Sequence, residues 1–257
     1  MKRLVVALTA IAAFTAPALA ADMAAKAPMR AAPVAYAPSW TGCYIAGGGG
    51  YGMWNQENTQ FIDGPPRVQI EGTQTNGGRG YFGTVGAGCD YQFGGNFVVG
   101  AFGDYDFSSI KGQMDQQNGN RTGTEKMSST WSVGGRIGYL ITPNLLTYFS
   151  GGYTESTFDR VNMAGFLAPA DLYLDKQTYK GWFLGAGDEY ALSFLPGLFW
   201  KTEYRFSEFD VKYNPLYSIA TNLPNGDSFD SKKYTHTIRS ELVYRFNWGG
   251  GAVVAKY

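Results

Sequence analysis

Residues Phe199–Phe206 read F-W-K-T-E-Y-R-F and alternate between two kinds of side chain. The even positions are Trp, Thr, Tyr and Phe, whereas Lys, Glu and Arg stand between them. Successive side chains of an extended strand point to opposite faces, so this stretch predicts a strand with one aromatic and one charged face. In a soluble sheet the aromatic face would enter a core and the charges would meet water.

The same period of two residues recurs elsewhere in the chain. In Ile238–Phe246 the residues Ile, Ser, Leu, Tyr and Phe alternate with Arg, Glu, Val and Arg, and Trp131–Tyr139 repeats the period with Trp, Val, Gly, Ile and Tyr on one face. Aromatic residues make up 16% of the chain, which also has 35 glycines. Repeated segments of about ten residues, apolar toward lipid and polar toward a lumen, are typical of a transmembrane β-barrel.

The N-terminus carries an export signal. Lys2 and Arg3 precede the apolar stretch Leu4–Ala16, and Ala18-Leu19-Ala20 forms a cleavage site, so residues 1–20 are predicted to be a signal peptide. The apolar stretch is shorter than the roughly 20 residues of a spanning helix, which disfavours a membrane anchor. Residues 21–39, rich in Ala and Pro, are predicted to be an extended periplasmic tail, either a plain leader or a contact with the cell wall.

Residues 40–257 are predicted to form the barrel. Turn residues divide them into eight strands: 40–54, 80–93, 97–107, 128–141, 145–158, 178–193, 198–208 and 234–248. Short turns alternate with long polar loops at 55–79, 108–127, 159–177 and 209–233. This alternation predicts an all-β fold, an eight-stranded antiparallel transmembrane up-and-down β-barrel with short periplasmic turns and four long outer loops. Strand 145–158 alternates too poorly for its faces to be assigned.

Several motifs resemble a known family. W-T-G-C-Y-I-A-G-G-G-G-Y-G at Trp40–Gly52 is similar to the opening strand of small alphaproteobacterial outer-membrane β-barrels, the OmpA-like or opacity-type porin family. Gly181–Tyr190, Lys201–Phe206 and the C-terminal Tyr244–Tyr257 resemble its later strands. The resemblance implies a place in the outer-membrane lipid bilayer, and it implies that Tyr257 is the residue that the outer-membrane insertion machinery recognises.

Cys43 and Cys89 are the only cysteines. By strand parity both side chains point outward, at similar depths near the periplasmic ends of neighbouring strands. Because exported compartments are oxidising, we predict a disulfide that acts as a structural clip without redox function. Two buried free thiols are the alternative.

The inward-facing positions of the predicted strands carry ionisable side chains of both signs. They are Asp90, Asp104, Asp106, Arg136, Glu189, Lys201, Glu203, Arg205, Arg239, Glu241 and Arg245, six acids against five bases. The bore of an eight-stranded barrel is just wide enough for side chains to fill. We therefore predict that these groups pair across a plugged lumen, with a narrow conducting path as the alternative. Asp188 falls on the outward face. A position at the membrane rim would lower the free-energy cost of placing its charge against lipid.

Aromatic residues near both ends of the strands predict two interfacial girdles. The predicted members are Trp54, Tyr81, Trp131, Trp182 and Tyr234 on the loop side and Trp40, Phe93, Tyr139, Trp200 and Trp248 on the turn side.

Composition and motifs disfavour several function classes. The formal net charge is zero, so nothing indicates a nucleic-acid partner. One histidine and two cysteines make no recognisable metal cluster, and no cofactor is predicted. His236 shares a strand face with Ser240, as a lipid-modifying enzyme would require, but residues four apart in a strand lie about 13 Å apart.

The sequence therefore predicts a non-enzymatic structural and surface component of the Gram-negative envelope, with a lumen filled by side chains. A narrow porin-like diffusion channel is one alternative. A surface protein that binds a ligand or mediates adhesion through its outer loops is the other.

Overall fold

The computed structural model describes residues 38–116 and 120–246, in which every regular element is a β-strand. The strands are β1 (Gly42–Ile62), β2 (Val68–Gln69), β3 (Gln74–Phe93), β4 (Phe97–Gln116), β5 (Arg121–Thr142), β6 (Leu145–Phe158), β7 (Val161–Gly165), β8 (Ala170–Leu174), β9 (Gln177–Ala191), β10 (Leu198–Phe209), β11 (Lys212–Ser218) and β12 (Pro224–Phe246). Among the described residues no helix is long and apolar enough to cross a membrane. The predicted signal peptide, residues 21–37 of the predicted tail, Trp248 and Tyr257 lie outside the described residues.

Eight strands close into one antiparallel ring, here called the membrane ring. Its order is β1–β3–β4–β5–β6–β9–β10–β12, and β12 pairs back onto β1. Starting at Phe93 on β3, one can step from each residue to its cross-strand partner on the next strand around the ring. This path returns to β3 at Gly83, ten residues from its start. Such a stagger goes with the strand tilt that closure requires. The predicted eight-stranded antiparallel barrel is confirmed.

The wall of the barrel continues past the ring on the side of the long connections. There β11 pairs with the outer end of β12, β8 with β11, β7 with β8, and β7 with Arg121–Gly123 at the start of β5. These three strands, together with residues 63–69, which include β2 paired on the outer end of β1, and the outer ends of β1, β3, β4, β5 and β12, are called the outer crown below. Five strands thus pass without interruption from the membrane ring into the crown.

The prediction of four long loops is wrong for much of their length. β1 runs on to Ile62, β4 reaches Gln116, and β12 already begins at Pro224. These segments have polar outward side chains, which made them resemble loops, but they keep the period of two with buried side chains turned inward. Because water surrounds the barrel beyond the membrane, a polar outer face is compatible with a strand.

β6 has the predicted bounds, Leu145–Phe158, and its faces are now clear. Its even positions from Leu146 to Phe158 are buried, apart from the half-buried Gly152. The glycine pair Gly151-Gly152 hides this alternation in the sequence. At the other end of the ring Gly94 and Gly95, with φ of 57° and 83°, close the tight β3–β4 turn in backbone conformations that favour glycine.

Candidate functional site

The inward side of the barrel is the candidate site, and β12 displays its layers in order. From the turn side outward, the buried inward residues of β12 are Arg245, Val243, Glu241, Arg239, Thr237, Thr235, Lys233, Ser231 and Phe229. Charged, apolar and hydroxyl side chains therefore alternate along the lumen. Each layer draws its other members from the remaining strands of the ring.

The first layer is a lower charge cluster of Asp90, Arg136, Glu189 and Arg245. Arg136 donates to Asp90 at 2.5 and 3.0 Å and to Glu189 at 2.8 Å. Arg245 donates to the same two carboxylates at 2.6 Å each. The four side chains are at most 2% exposed. Two guanidiniums and two carboxylates alternate in this closed arrangement, so each buried charge has two partners of opposite sign.

Aromatic rings enclose the lower charge cluster. Arg136 lies 5.0 Å from the ring centres of Tyr44 and Tyr148, and Arg245 lies 5.0 Å from that of Phe199. These rings belong to a turn-side apolar cluster of Trp40, Tyr44, Ala46, Val98, Leu140, Leu146, Tyr148, Ala191, Phe199 and Val243. The cluster fills the turn-side end of the lumen around the ions.

The remaining predicted lumen ions form a middle charge cluster of Asp104, Asp106, Lys201, Glu203, Arg205, Arg239 and Glu241. Arg205 bridges Asp104 and Glu203 at 2.9 and 2.8 Å. Arg239 reaches Asp106 at 3.0 Å, and Lys201 reaches Glu241 at 2.7 Å. The structure thus brings all eleven predicted side chains into two adjacent groups.

Above them lies a buried ion pair that the sequence analysis missed. Lys233 donates to Glu125 at 2.7 Å, and neither side chain is more than 6% exposed. The ammonium lies 4.1 Å from the ring centre of Phe158, 4.9 Å from that of Tyr179 and 5.1 Å from that of Trp54. Lys233 and Arg239 are separated by an even number of residues on β12, so both side chains point inward. This period of two residues could have identified Lys233 as a lumen residue. However, Lys233 and Glu125 both fall in segments that the sequence predicts to be loops.

Two further apolar clusters close the outer part of the lumen. A central cluster contains Trp54, Phe82, Ile110, Met127, Phe158, Tyr179 and Phe209. A crown cluster contains Met114, Val161, Met163, Leu172, Leu174, Leu216 and Phe229. Among the described residues, the cavity beside Arg205 and Arg239 and the one beside Glu125 and Tyr179 are each ≈ 10 Å³, about the size of one water molecule.

The comparisons with known proteins agree with this architecture. The model of the outer membrane protein beta-barrel domain matches residues 6–246. The chain belongs to this family. Because the chain belongs to this family, it lies in the outer membrane, in contact with the lipid bilayer. The predicted relationship to alphaproteobacterial outer-membrane barrels is confirmed.

Relatives of this outer membrane β-barrel protein come from Brucella. The 31 kDa outer-membrane immunogenic protein of Brucella melitensis is 32% identical over 250 residues, which cover 93% of this chain and 98% of the relative. The 25 kDa outer-membrane immunogenic protein of Brucella canis is 28% identical over 249 residues, 96% of this chain and 99% of the relative. Among solved structures, OprG from Pseudomonas aeruginosa has a TM-score of 0.43 at 13% identity, covering 81% of this chain and 99% of that one.

In an outer membrane β-barrel the outward aromatic residues meet the lipid interfaces. Tyr81, Phe93, Trp131, Tyr139, Trp182 and Trp200 are all exposed on the outer wall, and Tyr234 is half-buried there against Phe206, 6.3 Å between ring centres. Their outward position is compatible with the predicted girdles, which stay a prediction.

The predicted girdle positions of Trp40 and Trp54 are wrong, because both indoles are buried in the barrel. Trp40 is 1% exposed, donates to the Pro143 carbonyl at 3.1 Å and packs on Phe199. Trp54 is fully buried and lies against Gly78, where an added Cβ would come within 2.5 Å of the indole. Only a residue without a side chain leaves room for Trp54 there.

Cys43 and Cys89 are direct cross-strand neighbours on β1 and β3, and their sulfur atoms are bonded. Both residues are exposed on the outward face. The bond therefore ties the first two strands of the membrane ring together on its outer surface.

Other outward polar groups have separate partners. The Tyr204 hydroxyl and His236 Nδ1 are 2.7 Å apart, whereas Ser240 accepts a hydrogen bond from the Trp200 indole at 2.8 Å. His236 and Ser240 are thus not brought together. Asp188 does point outward, and it accepts a hydrogen bond from Thr147 at 2.6 Å.

Proposed function

We propose that the protein is a closed, non-enzymatic barrel that serves as a structural and surface component of the outer membrane. The observation that carries this proposal is the layering of the lumen, in which apolar clusters alternate with charge clusters whose members are paired.

A conducting pore needs a continuous polar path, and the layering opposes one. An ion that entered from the crown would meet the apolar crown cluster and then the central cluster, whose aromatic rings enclose the Lys233–Glu125 pair. Beyond these clusters, the buried guanidiniums and carboxylates are already bonded to each other at 2.5–3.0 Å in the lower charge cluster. Breaking buried ion pairs to admit a solute costs several kcal/mol, about 3–5 for the loss of one partner.

The same pairing gives the lumen ions a structural role. The lower charge cluster joins β3, β5, β9 and β12, and the middle charge cluster adds β4 and β10. Side chains from strands that are not neighbours in the ring are thus bonded across the bore. Such contacts specify which strands face each other when the barrel closes.

A surface role is supported by the crown. Its walls are hydrogen-bonded strands around a buried apolar cluster, so the barrel presents an ordered outer surface. We further propose that Tyr257 is recognised by the outer-membrane insertion machinery and that residues 21–39 lie on the periplasmic side, where they can touch the cell wall.

The decisive experiment is single-channel recording of the refolded mature protein in a planar bilayer. The closed barrel should give no steady current, and Arg136→Met should lower thermal stability without opening a conductance. Arg67→Met, at an exposed crown ion pair, is the matched control. A steady wild-type current that Arg136→Met alters and Arg67→Met leaves unchanged would establish a diffusion channel instead.

A further inference from the structure

Three basic side chains form a row across the outer wall of the barrel, where the membrane ring meets the outer crown. Arg79 on β3 is the direct cross-strand partner of Lys111 on β4, and Lys111 is the partner of Lys126 on β5. All three point outward: Arg79 and Lys111 are exposed, and Lys126 is half-buried. Neighbouring strands lie about 4.8 Å apart, so the three Cα atoms span about 10 Å. This set is called the basic row below.

The basic row is short of negative charge. Lys126 has Asp159 at 3.6 Å, in a pair whose side chains are 37% and 40% exposed. Arg79 and Lys111 form no ion pair with any residue that the structure describes. Asp115 lies four residues further out on β4, about 13 Å along the strand. Like charges directly opposite each other destabilise a pair of strands, and an anion bound between them would offset that repulsion.

The outer wall changes from apolar to polar at the basic row. On the membrane side, the exposed Tyr81 is the next outward residue of β3, and Phe107 is exposed further along β4. On the other side, the next outward residues of the three strands are Gly77, Gln113 and Thr124, none of which is charged. Long basic side chains at such a border reach the level of the lipid headgroups, whereas the apolar residues below them face the acyl chains.

Outward lysines on other strands of the ring differ from the basic row. Lys232 on β12 has Glu208 at 2.7 Å, and Lys180 on β9 has Glu155 at 3.9 Å. Each of these lysines is already close to a carboxylate. The wall of β3 and β4 therefore carries two adjacent cations whose charge is free to attract an anion.

From this arrangement we propose that the basic row binds the phosphate-bearing headgroup of a lipid in the outer leaflet. A guanidinium can donate two parallel N–H bonds to one phosphate, and an ammonium adds a point charge beside it. Free phosphate shares this chemistry, but it would make no use of the apolar wall at Tyr81 and Phe107, along which acyl chains can run. This inference goes beyond the proposed function and does not depend on whether the lumen conducts.

The test uses the full mature chain, refolded in a non-ionic detergent and titrated with lipids under native mass spectrometry. The probes are dioleoylphosphatidic acid and dioleoylphosphatidylcholine, which has the same acyl chains but no net charge. Each free cation should favour the anionic lipid about fivefold, so the preference of the wild type should be roughly 25-fold. The double variant Arg79→Gln, Lys111→Gln should bind phosphatidic acid about 25-fold more weakly and phosphatidylcholine as the wild type does.

The double variant Lys180→Gln, Lys232→Gln is the matched control, because it removes the same total charge from outward positions that have carboxylate partners. It should keep the preference for phosphatidic acid. Heat-modifiable migration checks that each variant folds, and phosphatidic acid should raise the thermal midpoint of the wild type and the control but not that of the Arg79, Lys111 variant.

Three results would overturn the proposal. The first is equal affinity of the wild type for the two lipids, and the second is an equal loss of phosphatidic acid binding in both double variants. The third is complete displacement of phosphatidic acid by millimolar inorganic phosphate, which would make the ligand a free anion and not a lipid headgroup.

Discussion

The membrane ring and the outer crown are built from the same strands with opposite polarity. On β12, Ile238 is exposed on the ring while Arg239 is buried in the lumen. Further out on that strand, Phe229 is buried inside the crown and Asp230 and Lys232 face outward. The period of two residues is unchanged. What changes is the surroundings, from lipid to water, so the period identifies the strand and the polarity of its outer face identifies the solvent.

The ion pairs of the two regions differ in the same way. Arg245 in the ring is fully buried, whereas Arg67 and its partner Asp230 in the crown have side chains 32% and 30% exposed. Exposed pairs contribute about 0–1 kcal/mol because water screens them and competes for each group. The removal of one partner from a buried pair leaves a charge that has neither water nor counter-ion.

The largest effect is therefore expected for Arg245→Met. It leaves Asp90 and Glu189 with Arg136 alone, and it should lower the free energy of unfolding by about 3–5 kcal/mol. Arg67→Met in the crown should cost less than about 1 kcal/mol. Urea titration of both variants in lipid vesicles measures the difference, and equal losses would show that the lumen is not sealed from water.

A charged residue on the outer wall should distinguish lipid from water directly. Val85 on the ring and Val68 in the crown are each 50% exposed. Val85 lies on β3 between the predicted girdle residues Tyr81 and Phe93, so Val85→Arg should cost about 2–4 kcal/mol near the bilayer midplane. Val68→Arg should change the unfolding free energy by less than about 0.5 kcal/mol. If the two variants unfold at the same urea concentration, the boundary between ring and crown is misplaced.

The crown cluster should behave as a small hydrophobic core. Met163 is fully buried there, and Met163→Ala should destabilise the crown by about 2 kcal/mol, at the lower end of the range for such truncations. Met53→Ala, at an outward position 45% exposed, is the control. Protease cleavage within the crown should increase for Met163→Ala alone, while the ring keeps its heat-modifiable migration. Cleavage that stays at the wild-type rate would mean that the cluster does not hold the crown together.

The smallest change in stability is expected for a partly exposed carboxyl group of the crown, Asp63, and it depends on pH. Partial burial raises the pKa of Asp63, but hydrogen bonds from Ser228, Tyr213 and Arg67 outweigh it, so the pKa lies below its usual value. A carboxyl with a lowered pKa stabilises the fold above its unfolded-state pKa of about 3.9, and that contribution is lost as pH falls through the folded-state value. Asp63→Asn should therefore lower the thermal midpoint of the crown at pH 7 and have little effect at pH 2. A deficit that persists at pH 2 would assign the effect to packing.

The sequence predicted the ring well because lipid and lumen impose strict alternation, as at Phe199–Phe206. It failed where polarity, rather than period, guided the interpretation, so Lys233 and Glu125 were placed in loops although both are buried in strands. Bulges add to the difficulty: register shifts beside Met127 change the buried positions of β5 from odd numbers (Glu125, Met127) to even numbers (Ser132, Arg136).

The two buried tryptophans show a different limit. Trp54 has the same even-numbered parity as the inward residues of β1. The girdle prediction for Trp54 rested only on its position near the end of the predicted strand. Whether an indole fits inside depends on the residue across the ladder, and Gly78 lies opposite it. Trp40 precedes β1 and has no strand phase, so nothing local predicts that it packs on Phe199.

The pairing of β12 with β1 has a consequence for how the chain is made. These strands are the last and the first of the ring, and they pair from Cys43 with Phe246 to Ile62 with Asp227. A chain that stops before residue 224 can form at most a curved sheet with two long unpaired edges, which are templates for aggregation. β12 must therefore be translated before the ring can close, and stops that precede it should yield aggregates rather than smaller barrels.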